Sequence, residues 1–216
     1  MRITILTLFP GMFDGPFRES MVKKAQEKNL VHIDFVDIRK FGIGAHRVVD
    51  DKPYGGGVGM VMRADVLHKA IESAKDPALS KAEQKVILMD ARGEVFSQKK
   101  AKSFSILGHL IIVCGHYEGV DQRSLAYVDE AISIGPFVLT GGEIPAMIIT
   151  DATVRLIKGV LKTDATENES FSKGLEEKLE HPQYTRPAVY NNQKVPEILV
   201  SGHHQQIAQW KKAKAK

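Results

Sequence analysis

The chain has 216 residues and a formal net charge of +4, and 43% of its residues are hydrophobic. This length predicts one domain of about 150 residues with a smaller appendage, and the mildly basic charge suits a polyanionic partner without requiring one. The single cysteine, Cys114, excludes a disulfide framework and favours a reducing cytoplasm. No apolar run approaches the length of a membrane span, so we expect no membrane partner.

Strand-like and helix-like segments alternate along the first 160 residues. In chain order, strands are predicted at residues 3–8, 31–37, 85–89, 110–114 and 130–134. Helices are predicted between and after them, at residues 16–28, 63–75, 97–107, 120–128 and 144–157. The alternation predicts an α/β fold, in which a mostly parallel sheet is covered by helices on both faces.

Three stretches interrupt this alternation. Residues 38–62 exceed the ceiling of about 12–15 residues that is usual for a structureless loop, so we expect a functional role there. Residues 115–123 follow a buried strand, and residues 161–170 are polar and aperiodic, which favours a linker. We therefore predict a first domain at 1–160, a linker at 161–170 and a small helical domain at 171–216.

Several well-known catalytic motifs are absent from the chain. There is no G-x-x-x-x-G-K-[ST] phosphate loop, no H-E-x-x-H pair and no G-x-S-x-G elbow. Residues 55–59 do not begin a G-x-G-x-x-G pattern, because methionines stand where the third glycine should be. The sequence therefore predicts neither a phosphate loop nor a zinc site, and no metal ligand set can be identified.

Two glycine-rich loops follow apolar strands. Residues 132–145 contain three glycines and two prolines, and residues 115–123 form the other loop. Either loop alone is explained by a turn. Together, at strand ends where open α/β sheets bind ligands, they favour a pocket for a nucleoside-sized ligand. Backbone amides would bind the edge of an adenine, and Ile134, Phe137 and Leu139 would cover its face.

Charged residues near these loops are candidates for catalysis. Glu118 is flanked by glycines, and a substrate contact competes there with a simple solubility role. Arg155 lies on an apolar predicted helix and needs an anionic partner, which is either a substrate or a buried acid. Glu169 and Asp164 lie in the polar linker, where solvation is the default for a carboxylate.

Cationic and aromatic residues are mixed in the C-terminal region. They include Tyr184, Arg186, His203, Trp210 and the lysines of the tail. Phosphate contacts and the stacking of bases on aromatic rings are the usual means of nucleic-acid binding. A small amphipathic helical domain with a solvated lysine tail explains the same composition, so both interpretations stay open.

Longer stretches of the chain match a known family in order and spacing. These stretches are residues 8–13, 51–60, 115–121, 133–147, 169–171, 181–187, 195–197 and 199–203. Over essentially its whole length the chain closely resembles the bacterial tRNA (guanine-N1-)-methyltransferases, the TrmD family of the SPOUT class. The resemblance implies a homodimer whose catalytic domain binds S-adenosylmethionine in a C-terminal trefoil knot. It also implies that a small α-helical domain grips the anticodon stem-loop of tRNA.

The resemblance further implies roles for individual residues. The cofactor-binding positions are Met89, Gly115, Gly119, Ile134, Gly135, Phe137, Leu139, Gly141, Gly142 and Pro145. The substrate-binding positions are Tyr54, Gly55, Gly59, Tyr184, Arg186 and His203. The resemblance implies that the methyl group goes to N1 of guanosine 37 of tRNA when another guanosine precedes it. By the same resemblance, Glu169 is expected to remove the N1 proton, Arg155 to stabilise the charge on O6, and Glu118 to contact the target base.

Several positions depart from the family pattern. His116 stands where the family usually has arginine, and Glu169 stands where it has aspartate. Residues 90–93 replace a usual Ser-Pro-Gln-Gly, residues 136–137 replace Asp-Tyr, and the C-terminal domain is shorter than usual. The alternatives are therefore a SPOUT methyltransferase acting on another RNA position, or a non-catalytic RNA-binding relative. A magnesium dependence is associated with the family.

Overall fold

The computed structural model describes residues 1–167 and 169–216, and at Thr163, Asp164 and Lys173 it describes the backbone only. The chain divides into two compact units, Met1–Val160 and Leu161–Lys216. None of the helices in the described ranges combines the length and the apolar composition that crossing a membrane requires.

A five-stranded parallel sheet forms the centre of the first unit. The strands of this unit, in chain order, are β1 (Arg2–Thr7), β2 (His32–Asp37), β3 (Asp50–Asp51), β4 (Val61–Met62), β5 (Gln84–Val95), β6 (His109–Cys114) and β7 (Glu130–Ser133). The sheet order is β2-β1-β6-β5-β7, and every neighbouring pair is parallel. β3 and β4 form a separate antiparallel pair. The predicted parallel sheet is confirmed, and all five predicted strands belong to it.

Helices cover both faces of this sheet. The α-helices of the unit are α1 (Ser20–Glu27), α2 (Ala64–Ala74), α3 (Gln98–Phe104) and α4 (Glu143–Val154). Alternate residues of β6 pack into two separate hydrophobic cores. Ile112 packs with residues of α1, α3 and α4, whereas Ile111 and Val113 pack with residues of α2 on the other face. All six residues of β6 are buried, which explains its nearly uninterrupted apolar run. The prediction of helices on both faces is confirmed.

Several helix bounds differ from the sequence prediction. The predicted helix at 16–28 is split, because Glu19 has an extended backbone between a short 3-10 turn and α1. The predicted helix at 144–157 ends at Val154, since the backbone bonds that follow reach three residues back rather than four. The residues after 120 form a 3-10 helix, Gln122–Tyr127, in place of the predicted α-helix.

β5 is longer than predicted and carries a bulge. Met89 and Glu94 both pair with Ile132 of β7, so the residues between them leave the ladder. Gly93 lies where a side chain would overlap the backbone of β7, so glycine allows the two strands to meet again. The first two residues that leave the ladder line a cavity at the carboxyl edge of the sheet.

The second unit combines helices with a short hairpin. Its elements are α5 (Thr163–Glu167), a 3-10 turn (Lys173–Leu175), β8 (Val189–Tyr190), β9 (Gln193–Lys194), α6 (Glu197–Val200) and α7 (His204–Lys214). Leu179 and Lys216 exchange two backbone hydrogen bonds, which hold the C-terminus of the chain against the segment before the hairpin. At the start of the predicted helical domain, residues 171–179 form only the 3-10 turn, because Glu176 and Glu177 adopt positive φ.

Candidate functional site

A cavity of about 230 Å³ opens at the bulge of β5 and at the carboxyl ends of β6 and β7. Its lining comes from residues 89–91, 115–120, 132–134, 137–142 and 145. This is the edge at which parallel α/β sheets bind ligands. Small-molecule sites usually start at about 300 Å³, so the cavity suits a compact ligand or the compact part of a larger one.

The two glycine-rich loops meet beside this cavity. The backbone N–H of Gly142 donates a 2.7 Å hydrogen bond to the carbonyl oxygen of Gly115, and His116 and Gly141 form an antiparallel bridge. A side chain at position 142 would put its Cβ 2.8 Å from the Cα of Cys114. The close approach of the two loops therefore requires glycine at 142.

The second loop turns sharply before it reaches α4. Gly135 has a φ of +152°, and its N–H donates to Oγ of Ser133 at 3.2 Å. The N–H of Phe137 donates to the carbonyl oxygen of Gly135 at 3.0 Å, which tightens the turn. Phe137 and Leu139 line the cavity and are 53% and 38% exposed. Their side chains therefore offer apolar surface to a ligand.

The structure brings most of the predicted cofactor residues together. Nine of the ten line the cavity, namely Met89, Gly115, Gly119, Ile134, Phe137, Leu139, Gly141, Gly142 and Pro145. The exception is Gly135, which shapes the loop without lining the cavity. Glu118 also lines the cavity, and its side chain is exposed. The roles of these residues toward a cofactor stay predictions.

Backbone hydrogen bonds tie the long loop before α2 to the first glycine-rich loop. The N–H of Glu118 donates to Met60 at 3.0 Å, and the N–H of Met62 donates to Gly119 at 3.0 Å. The N–H of Asp121 donates to Met62 at 2.9 Å. The long loop is therefore anchored next to the cavity at its C-terminal end.

The tip of the long loop is only partly brought to the site. Gly59 lies against the side chain of Glu118, which a Cβ at 59 would overlap. Tyr54 and Gly55 do not belong to the cavity lining, and Tyr54 is 99% exposed. Of these three predicted substrate residues, the structure places Gly59 beside a lining residue and leaves the other two in solvent.

Asp90 lines the cavity, although sequence reasoning did not assign it to the site. Its Oδ1 accepts hydrogen bonds from the backbone N–H and Nε of Arg92, and its Oδ2 accepts one from a terminal guanidinium nitrogen. The side-chain bonds from Arg92 lower the pKa of the Asp90 carboxyl, so it is ionised near neutral pH. The signal in the sequence was its place directly after Met89, at the end of the predicted strand.

Glu143 is buried in the first turn of α4. It is 2% exposed, and one of its carboxylate oxygens accepts a 2.8 Å hydrogen bond from Oγ1 of Thr7. The other oxygen lies 3.7 Å from Nδ1 of His116. Burial and the nearby carboxylate of Glu143 raise the pKa of the Cys114 thiol, so the thiol stays protonated. Glu143 thus connects Thr7 of β1 with His116 of the first glycine-rich loop. The apolar pattern of the helix did not predict a buried acid at this position.

The two main catalytic candidates lie in different units. Arg155 is half-buried at the C-terminal end of α4, the helix that begins beside the cavity. Glu169 is half-buried in the second unit, where its carbonyl oxygen accepts a 3.0 Å hydrogen bond from the N–H of Ser172. The side chain of Asp164, the alternative base, lies outside the described residues. The catalytic roles of Arg155 and Glu169 stay predictions.

Tyr184 and Arg186 line a cavity of about 440 Å³ within the second unit. The rings of His181 and Tyr184, which both line this cavity, lie 6.0 Å and 6.3 Å from the ring of Trp210, which does not belong to the lining. His203 directly precedes α7 and is exposed, away from this lining. The structure therefore places Tyr184 and Arg186 on one cavity, and His203 does not belong to its lining.

Comparison with known protein families shows the family to which the chain belongs. The family model described as tRNA (Guanine-1)-methyltransferase TrmD matches residues 1–216. The chain belongs to this family. The resemblance carried by the sequence stretches is therefore confirmed, and the match extends over both units.

Individual relatives agree with the family match. A protein of Dictyoglomus turgidum named tRNA (guanine-N(1)-)-methyltransferase is 50% identical over 216 residues, which cover 100% of this chain and 85% of the relative. A protein of Geobacillus kaustophilus with the same name is 50% identical over 215 residues, covering 98% and 85%. Another, from Endomicrobium trichonymphae, is 46% identical over 218 residues, covering 98% and 92%.

Proposed function

We propose that the protein is a tRNA methyltransferase that transfers the methyl group of S-adenosylmethionine to N1 of guanosine 37. The observation that carries the proposal is membership of the tRNA (guanine-1)-methyltransferase family over residues 1–216. The cavity between the two glycine-rich loops supports it, because it lies where an α/β fold binds a small ligand.

The residues around this cavity fit the nucleoside part of S-adenosylmethionine. Backbone groups of the two loops surround the space, and Phe137 and Leu139 supply apolar surface for a flat ring. The carboxylates of Asp90 and Glu118 suit a ligand that carries positive charge. When bound, the cofactor supplies an activated methyl group on a sulfonium sulfur.

In this proposal the chain itself supplies the proton chemistry and the charge stabilisation. Glu169 accepts the proton of guanine N1 as the bond between N1 and the methyl carbon forms. Arg155 donates hydrogen bonds to O6, where negative charge grows as that proton leaves. Glu118 contacts the target base, and the long loop with Tyr54, Gly55 and Gly59 contacts the substrate. The position of Gly59 beside the side chain of Glu118 supports this part of the proposal.

The proposed assembly is the one that the family implies. The first unit carries the methyltransferase domain, and its segment from β7 through α4 forms a trefoil knot. The protein acts in the cytoplasm as a homodimer with its active sites at the subunit interface. The second unit grips the anticodon stem-loop of tRNA through Tyr184, Arg186 and His203, beyond a linker at 161–170.

A magnesium dependence is part of the proposal, as the family implies. In the described ranges, no group of three or more His, Cys, Asp or Glu side chains is arranged to hold a metal ion, so the proposal assigns no ligand. Methyl transfer measured over a magnesium series, with chelator as the starting point, tests the dependence.

Methyl transfer to tRNA transcripts tests the proposed function. We expect incorporation into a transcript with guanosine at positions 36 and 37 and none into a matched transcript with adenosine at 37. Mass spectrometry of the digested product is expected to give 1-methylguanosine at that position. Equal incorporation into both transcripts, or into neither, would overturn the proposal. Methylation of another nucleotide would favour a methyltransferase of altered target.

A further inference from the structure

The charged side chains that line the cavity are acidic. Asp90 and Glu118 both belong to the lining. The other titratable side chains there are those of His116 and Tyr117. Among the described residues, no lysine or arginine lines the cavity. A concave site with one sign of charge attracts ligands of the opposite sign. The cavity therefore favours a cation.

Asp90 is the more sheltered and the more firmly oriented of these two acids. Its side chain is 14% exposed, whereas Glu118 is an exposed residue. Three hydrogen bonds from Arg92, of 2.8, 3.2 and 2.9 Å, hold the carboxylate in one orientation. The side chain of Arg92 is 68% exposed and does not belong to the lining, so water screens its charge more than that of Asp90.

The hydrogen-bond count of Asp90 leaves room for a ligand. An ionised carboxylate has about four acceptor sites, and Arg92 occupies three of them. Oδ1 accepts two of these bonds and Oδ2 accepts one. Asp90 is therefore an ionised group on the lining that keeps an acceptor site on Oδ2.

We infer that Asp90 makes the cavity selective for the sulfonium form of the cofactor over the thioether that remains after transfer. This inference rests on the proposed function. In the proposed reaction the bond from sulfur to the methyl carbon breaks, the bond from that carbon to guanine N1 forms, and the N1 proton passes to the base. The sulfur thereby changes from a cation to a neutral atom. Because the sulfur has lost its positive charge, the attraction between the ligand and Asp90 becomes weaker.

Asp90 thereby contributes to turnover as well as to cofactor binding. A carboxylate that attracts the charged cofactor does not attract the neutral sulfur of the product to the same extent. Asp90 then favours both the binding of the charged cofactor and the release of its neutral product, because methyl transfer removes the positive charge from the sulfur. Asp90 is a specificity residue in this account and takes no proton.

Ligand binding to the full-length chain tests the inference without any turnover. S-adenosylmethionine and S-adenosylhomocysteine are titrated into the protein by calorimetry, near neutral pH and at low salt. Both ligands carry the same amino and carboxyl groups, so the comparison isolates the sulfonium methyl and its charge. For Asp90→Asn we expect an affinity for S-adenosylmethionine that is about three- to tenfold lower, the size of one Coulomb contact that water largely screens. The affinity for S-adenosylhomocysteine is expected to change less than about twofold, since its sulfur is neutral.

A matched control exists in the same domain. Asp121 and Arg123 reproduce the pair made by Asp90 and Arg92, with two bonds of 2.9 Å to Oδ1 and one of 2.7 Å to Oδ2. Asp121 does not belong to the cavity lining. Asp121→Asn is therefore expected to leave the preference between the two ligands unchanged.

Salt separates an electrostatic role from a structural one. The preference of the unmodified protein for S-adenosylmethionine is expected to fall as sodium chloride rises from about 25 to 500 mM, and to fall less in Asp90→Asn. Equal losses of affinity for both ligands in Asp90→Asn would overturn the inference, and so would no loss for either. Failure of the unmodified protein to bind either ligand would instead overturn the proposed function.

Discussion

The backbone N–H of Gly142 donates a 2.7 Å hydrogen bond to the carbonyl oxygen of Gly115, and this bond joins the two glycine-rich loops at their bases. Gly142 has ordinary helical angles, with φ of −81° and ψ of −4°. Conformational freedom is therefore not the reason for glycine at this position. The reason is space, because a Cβ would lie 2.8 Å from the backbone of Cys114 and Gly115 and 2.9 Å from Cβ of Met89.

Gly142→Ala is expected to separate the loops and weaken cofactor binding. The contacting atoms belong mostly to the backbone, so they cannot move aside as the end of a flexible side chain can. Overpacking of this kind destabilises a fold by about 1–3 kcal/mol. Thermal unfolding and calorimetry with S-adenosylmethionine measure both effects. Gly11→Ala is the control, since nothing lies within 4 Å of a Cβ there. Equal behaviour of the two variants would contradict the steric argument.

Thr7→Val is expected to destabilise the first unit through the buried Glu143. The hydroxyl of Thr7 donates to that carboxylate at 2.8 Å and accepts from the N–H of Phe9 at 2.9 Å, and valine removes both bonds. A buried polar group that loses its partner costs about 1–3 kcal/mol. Urea unfolding measures the change in the free energy of unfolding.

Thr150→Val is the matched control for Thr7→Val. Oγ1 of Thr150 is buried and has no hydrogen-bond partner within the described part of the chain. Its replacement by a methyl group is therefore expected to change the free energy of unfolding by less than about 1 kcal/mol, or to stabilise the protein. A larger loss in Thr150→Val than in Thr7→Val would contradict the role given to the bond with Glu143.

Arg155→Gln is expected to lower the rate of methyl transfer while leaving cofactor affinity unchanged. In the proposed mechanism Arg155 stabilises charge that exists only in the transition state, and the loss of such a donor costs about 10²- to 10³-fold in kcat. Arg155→Lys keeps the charge without the planar fork of donors, so partial activity is expected. Lys158→Gln, at an exposed cation three residues further on, is the control. Full activity of Arg155→Gln would remove the residue from the mechanism.

The fold class was predictable because burial leaves a direct trace in sequence. β6 is buried on both faces, and its apolar run predicted a central strand. The order of strands was not predictable in this way, because β1 pairs with β6 through contacts such as Ile3 with Leu110. Local propensity describes each strand and says nothing about a partner more than a hundred residues away.

The part of the candidate site that consists of glycine-rich backbone was predictable from the sequence. The glycines at 115, 141 and 142 indicated closely approaching loops, and the structure places all three on one cavity. Asp90 was missed, since it reaches the cavity through a bulge that depends on the close approach of Gly93 to β7. Glu143 was missed because a buried acid in an apolar helix is recognisable only with its partner Thr7 in place.

Asp121→Asn is expected to destabilise the protein in a pH-dependent way. The hydrogen bond from Arg123 lowers the pKa of Asp121 to about 2, below the value of about 3.9 expected in the unfolded chain. The ionised carboxylate therefore stabilises the fold above about pH 4, and this stabilisation is lost as the pH falls toward 2. Arg123 is 75% exposed, so the effect near neutral pH stays below about 1 kcal/mol. Urea unfolding of both proteins from pH 7 to 2.5 measures the difference, and a difference that does not shrink at low pH would contradict the assignment.

Glu169→Gln is expected to bind S-adenosylmethionine and tRNA normally and to lose turnover. An amide has nearly the same shape as a carboxylate but cannot accept the proton of guanine N1, and a general base contributes about 10²- to 10⁴-fold to the rate. Single-turnover methyl transfer with saturating cofactor isolates this step from binding. Glu167→Gln, two residues earlier in an exposed position, is the control and is expected to retain its rate. Glu169→Asp is expected to stay active, because it keeps the carboxylate that the proton transfer requires. Full turnover in Glu169→Gln would move the role of the base to another group, with Asp164 as the next carboxylate to replace.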